Sequence, residues 1–195
     1  MARPAESSTS SVDGAPRSAD LPQVDAFDRI VEALRALREN GEISERTIEL
    51  SQRHVNYVKH AARILGLLTP GGAITDAGRR LSRAKAPESL SLLRAQFEQS
   101  KVGRAWIAWA GAISLTEVAP ESAADFLRSL PGLPESMAIR RGRTLRRWCT
   151  TLKSAVLEDP RVEAHRRPRP GPSAGRPIDG AATPRSVKAS KRGVA

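Results

Sequence analysis

Apolar residues recur at three- and four-residue steps along most of the middle of the chain, the signature of helices that bury one face. Val24, Phe27, Ile30, Val31, Leu34 and Leu37 form one such stripe. Pro22 suits a helix start, Asp25 and Asp28 favour the first turn, and Asn40-Gly41 supplies the stop. Ser44 can cap a short second helix to about Leu50, and Ser51 a third to about Leu65, which Gly66 ends. In LLTPGGAIT, residues 67–75, two short apolar pieces flank Pro70-Gly71-Gly72 and predict a small β-hairpin. Thr75 can cap a fourth helix with Ala77 and Leu81 inward and Arg79, Arg80, Arg83 and Lys85 outward. Further helices are expected over about 88–99, 102–113, 121–130 and 136–157.

Outside this stretch the pattern fails. Residues 1–21 are rich in Ser, Ala and Pro, and 159–195 form a basic Pro/Gly/Ala tail almost without large aliphatics. Neither buries enough surface to offset an ordering cost of ~1–2 kcal/mol per residue for the backbone. Both are expected to be disordered, which leaves a folded part at 22–158. No apolar run approaches the ~18 residues of a membrane span, so no membrane partner is expected. The start, MARPAESSTSSVDGAP, lacks the apolar stretch of a secretory signal, and Cys149 is the only cysteine, so no internal disulfide can form. A cytoplasmic location follows as the expectation, and 26 Arg against 6 Lys points to a GC-rich, bacterial genome.

Charge changes the reading from fold to function. The net charge is +11, and it is unevenly placed: −4 over residues 1–50, +6 over 51–87, −2 over 88–136 and +11 over 137–195. Two basic blocks against neutral or acidic surroundings are the footprint of a polyanion binder.

The order helix, short helix, helix, glycine-tipped hairpin over residues 24–82 resembles the winged helix-turn-helix family. SQRHVNYVKHAARILGLLTPGGAITDAGRRL carries most of the likeness, through its Leu-Gly-Leu exit, turn and Thr-x-x-Gly-Arg return. The turn between helices two and three lacks the glycine usual in that family. Tyr57 through Leu67, with the distal Arg140, Arg141, Thr144, Leu145 and Trp148, is also weakly similar to uncharacterised winged-helix proteins that accompany restriction or nuclease systems. The resemblance implies a mainly α fold: a winged helix-turn-helix with a small β-hairpin wing at 22–86, then a helical second half at 87–158. It also implies DNA binding, with the third helix in the major groove and the wing and Arg79, Arg80 and Arg83 on phosphates.

The third helix supports that function independently of any family. At about 100° per residue, Lys59, Gln52, Arg63 and Asn56 share an arc of about 60°, with His60 and Arg53 at its edge. Val55, Val58, Ala61, Ala62 and Leu65 take the opposite side. The polar arc is free of acids. Gln and Asn can bond adenine edges, Arg guanine edges, and Lys a phosphate. A solvated bundle face, the plainer reading, ordinarily mixes Glu with Lys. Tyr57 and His54 fall beside the apolar arc and read as a half-buried ring and a satisfied histidine.

Residues 136–157 repeat the theme. Arg140, Arg143, Arg146 and Arg147 lie opposite an arc of Met137, Leu145, Trp148, Cys149, Leu152 and Val156, with Arg141 intruding at the rim. With helix 121–130 this stretch can make a second helix-turn-helix, or it can close the bundle as a basic amphipathic helix. In the tail, Arg166-Arg167-Pro168-Arg169-Pro170 and Gly175-Arg176-Pro177 look somewhat like AT-hook cores but fit simple electrostatic tethering better.

No catalytic or metal pattern stands out. His54 and His60 have the wrong spacing for one helical face, and no carboxylate joins them. Cys149 reads as a small core residue. Neither an enzyme nor a cofactor is expected. The expected function is sequence-specific binding of double-stranded DNA, as a transcriptional regulator or the recognition component of a defence system, alone, as a homodimer or within a larger defence complex. The alternative is a protein-interaction module whose basic helical half binds an acidic partner or RNA.

Overall fold

A computed structural model describes residues 14–86 and 88–157. The tail at 159–195 and most of the expected N-terminal disorder fall outside the described residues. Among the described residues eight α-helices follow one another: α1 (Phe27–Asn40), α2 (Glu45–Ile48), α3 (Gln52–Ile64), α4 (Asp76–Arg83), α5 (Glu88–Gln99), α6 (Lys101–Trp109), α7 (Ala123–Arg128) and α8 (Glu135–Leu157).

The expected β-hairpin wing is not there: among the described residues no strand forms, and Leu68 and Ile74 meet in a single antiparallel bridge. The reason is local. Leu67-Leu68 and Ala73-Ile74 supply only two residues to each side, and Pro70 has no N–H to give a ladder. Thr69 closes the turn instead, its carbonyl accepting from Gly72 N–H at 2.9 Å and its hydroxyl from Ala73 N–H at 3.1 Å. Thr75 then leaves for α4 at once, its hydroxyl accepting from Gly78 N–H at 3.1 Å and donating to Gly66 O at 2.8 Å. The described residues are all-helical where a winged fold was expected.

The helix ends follow their capping residues. Gly41 ends α1 in the left-handed region, φ 75°, with its N–H on Leu37 O at 3.1 Å. Gly78 lets α4 cross hard against the α3 exit, because a Cβ there would lie 2.3 Å from Leu67 O. The sixth helix stops at Trp109 rather than 113, where Gly111 turns the chain at φ 65°. The missing glycine between α2 and α3 has a visible consequence. Glu49 takes the left-handed conformation itself, φ 50° and ψ 42°, and is the only described non-glycine residue with positive φ. Such a residue carries about 1 kcal/mol of backbone strain. Glu49→Gly is therefore expected to raise unfolding free energy by about 0.5–1 kcal/mol in a urea titration; a loss of stability would show that the Glu49 side chain matters more than its backbone.

One hydrophobic core joins both halves of the chain. Trp148 of α8 is fully buried, 4.7 Å from the Phe27 ring of α1 and 5.8 Å from Phe97 of α5. Its indole N–H donates to Val24 O at 2.9 Å. Leu21, just inside the expected disordered segment, is fully buried in the same core. Arg35 and Arg38 of α1 donate to the carbonyls of Ala84 and Ser82 at 3.2 and 2.9 Å, holding the end of α4 against α1. Trp106 stacks on Phe126 at 6.1 Å and donates to Ser122 Oγ at 3.1 Å, which seats α7 on α6. The result is a scaffold in which α3 is fixed by its inner face and free along its outer one.

Candidate nucleic-acid interface

On α3 the inner residues Val55, Val58, Ala61 and Ala62 are buried, while Gln52, Arg53, Asn56 and Arg63 are exposed and Lys59 and His60 are half-buried. Gln52 Nε2 donates to Asn56 Oδ1 at 3.1 Å, so the two amides are aligned side by side. Each keeps free groups, the Gln52 carbonyl and the Asn56 amino group, for a base edge. The helix start is built differently from the expectation. The Ser51 hydroxyl pairs with His54 Nδ1 at 2.8 Å, and the Gln52 N–H donates to the Glu45 carboxylate of α2. A carboxylate therefore reaches the start of an arc that is free of acids on its own helix.

Two flanks border the arc. On one side Lys59 and Arg63 line a cavity of about 290 Å³ together with Glu42 and the backbone of Gly71 and Gly72. Neither cation has an ion-pair or hydrogen-bond partner among the described residues. On the other side Arg53 Nε donates to the Tyr57 hydroxyl at 2.6 Å, with its guanidinium 5.5 Å from the ring centroid. His54 meets Tyr57 edge-on at 6.0 Å. His60 turns partly inward; its Nε2 is enclosed and has no hydrogen-bond partner among the described residues.

The remaining expected contacts divide into free and occupied. Arg79 donates to Ile74 O at 3.0 Å and pairs with Asp76, and that pairing holds the Asp76 carboxyl below the usual carboxylate range. Arg80 and Arg83 are exposed on α4, and no bond or shared cavity joins them to the α3 arc among the described residues. On α8, Arg140 and Arg143 are exposed without a partner among the described residues, whereas Arg147 pairs with Asp25 at 2.9 Å and Arg146 with Glu121 at 3.5 Å. Such surface pairs contribute about 0–1 kcal/mol and exchange readily for a phosphate. Because α8 buries Ala138, Leu145, Trp148 and Leu152, it offers an edge rather than a whole face.

Two residues of this region escaped the sequence reading. Glu45 had no local signal, since its partner lies seven residues on, across a turn. Arg141 did have one, its position inside the apolar arc, and the structure buries it to 8% exposure instead of leaving it at the rim.

The other chemically notable groups are quiet. Cys149 is buried, and burial pushes its thiol up to about 11. It is expected to resist alkylation by iodoacetamide at pH 8 in the folded chain and to react fully once unfolded; rapid native labelling would mean that α8 opens. No group of three or more His, Cys, Asp or Glu residues that could hold a metal comes together among the described residues. No described helix is long and apolar enough to cross a membrane. Comparison with family models, with curated proteins and with solved structures finds no match to this chain.

Proposed function

We propose that the chain binds double-stranded DNA sequence-specifically, with α3 laid in the major groove, as a transcriptional regulator or as the DNA-recognition component of a restriction or defence assembly. The observation that carries this is the α3 arc itself: aligned Gln52 and Asn56 amides between two cationic flanks, Lys59 and Arg63 on one and Arg53 on the other. Amides in such an arc suit adenine edges, and unpaired cations beside it suit phosphates. The glycine turn at 69–72 packs beside Arg63 as a loop at the groove edge; it is not a wing. The cost of the arrangement is Glu45, whose charge faces the same polyanion.

The role of α3 separates from general electrostatics in one experiment. A preferred site is selected from random duplexes, and Asn56→Ala is then measured on that site and on a scrambled one. The expected loss is about 1–3 kcal/mol on the preferred site and little on the scrambled one. Equal losses on both would remove Asn56 from base reading.

A protein-docking role is the second reading, favoured by Trp109, the last residue of α6, and Ile113 just beyond it, which are 45% and 91% exposed. It predicts that Trp109→Ser changes partner capture and leaves DNA affinity untouched.

A further inference from the structure

The cavity of about 290 Å³ beside α3 holds more chemistry than a flank for DNA requires. Gly41 ends α1 in the left-handed region, and the next two residues, Glu42 and Ile43, line the cavity. Lys59 and Arg63 of α3 line it too, four residues apart and so stacked on one helical face. Leu37, Ile43 and Leu68 give it an apolar lining. Gly71 and Gly72 complete it; a Cβ on Gly72 would lie 3.9 Å from Arg63 Nη2, so the guanidinium reaches the glycine turn.

A carboxylate and two cations that share so small a space attract one another. Yet no ion pair or hydrogen bond joins Glu42 to Lys59 or Arg63 among the described residues, so the carboxylate stands beyond ion-pair reach of both. The Gly71 N–H has no acceptor among the described residues either. Lys59 and Arg63 meanwhile repel each other, as like charges at that spacing do. The unspent groups are thus two cations, one amide donor and one carboxylate across a gap.

Two cations and a backbone N–H suit a phosphate. The carboxylate opposes a bare phosphate and suits a hydroxyl or ammonium donor instead. A duplex phosphodiester has no such donor to offer, and inorganic phosphate would leave the apolar lining unused. The volume lies at the lower edge of small-molecule sites, which begin near roughly 300 Å³ and combine apolar walls with a few polar groups.

We infer that this cavity binds a small organic phosphate bearing a hydroxyl or amino group, with the phosphate on Lys59, Arg63 and the Gly71 N–H and the donor on Glu42, and that its binding releases the chain from DNA. The site stands on the cavity, whereas the release rests on the DNA-binding reading, in which the same two cations hold duplex phosphates. One anion then excludes the other, and each weakens the other's binding by the same factor.

The test uses the full chain and three probes: glycerol 3-phosphate, phosphoethanolamine and inorganic phosphate, each replacing chloride at constant ionic strength. Calorimetric titration is expected to show saturable binding, with one or both organic phosphates at least about tenfold tighter than inorganic phosphate, as a hydrogen bond to a charged group provides. Glu42→Gln should erase that preference and leave inorganic phosphate bound at least as well. Arg63→Gln should weaken all three. Glu42 and Arg63 are exposed, so both variants are expected to fold, and melting curves check this. On a DNA duplex, a saturating organic phosphate should weaken wild-type binding and leave Arg63→Gln binding unchanged. No saturable binding, or binding that Arg63→Gln does not alter, overturns the site and leaves DNA binding standing. Equal affinity for all three probes overturns the organic occupant. Organic phosphate bound without any change in duplex affinity supports the site and overturns the release. Organic phosphate bound by a chain that binds no duplex supports the site and overturns the DNA reading.

Discussion

Reversing Lys59 and Arg63 together to glutamate is expected to weaken duplex binding on the order of 30-fold or more at about 0.15 M salt, and to flatten the salt slope by ~1.8. Both cations face one cavity beside the reading arc and have no acid to neutralise them except Glu42 across it. The loss should fall on every duplex alike, because these positions are suited to phosphates. The double glutamine variant should show the flattened slope without the added repulsion. Stability should change little, since Arg63 is exposed, Lys59 half-buried and neither holds a bond among the described residues. Gel-shift or anisotropy titrations at three salt concentrations, with thermal melts alongside, read both quantities. Unchanged DNA affinity in the double glutamate variant would place the polyanion elsewhere on the molecule.

Trp148→Ala is expected to cost about 3–5 kcal/mol of unfolding free energy, the range for truncating a fully buried aromatic. The indole touches Phe27 and Phe97 and satisfies the Val24 carbonyl, so its removal empties the junction of α1, α5 and α8 and strips one backbone acceptor of its partner. Because native domains are stable by only about 5–15 kcal/mol, the variant should sit near the edge of folding. A urea titration with an unchanged m-value and a lowered midpoint is the expected result. A cost under about 1 kcal/mol would mean that α8 does not anchor the N-terminal half. DNA affinity should follow stability here rather than precede it, since Trp148 reaches no part of the α3 arc.

What was legible in the sequence was whatever is decided within about four residues. Gly41 after a closing stripe, Thr75 ahead of a polar-apolar period, and Val55, Val58, Ala61 and Ala62 on one side of α3 all act through neighbours in the chain, and the structure has them as expected. The wing failed because an apolar pair, a Pro-Gly-Gly turn and a second apolar pair signal a reversal of the chain, and reversal alone does not make a ladder. The turn at Glu49 shows the converse: the glycine was absent, yet the chain turned there, at the expense of a strained residue. Long-range pairings were invisible. Nothing near Trp148 announces Val24 or Phe27, and nothing near Gln52 announces Glu45. Arg141 lies between these cases, since its misplaced position in the apolar arc was visible but its burial was not.

The most direct measurement is a salt series of full-length chain binding to a generic DNA duplex. With Arg53, Lys59 and Arg63 on phosphates, the log K against log salt slope is expected to be at least about −2.7 in magnitude, at 0.9 per phosphate, and steeper with Arg140 or Arg143 engaged. Binding that is absent at low salt, or whose affinity stays flat as salt rises, would contradict DNA as the partner of α3.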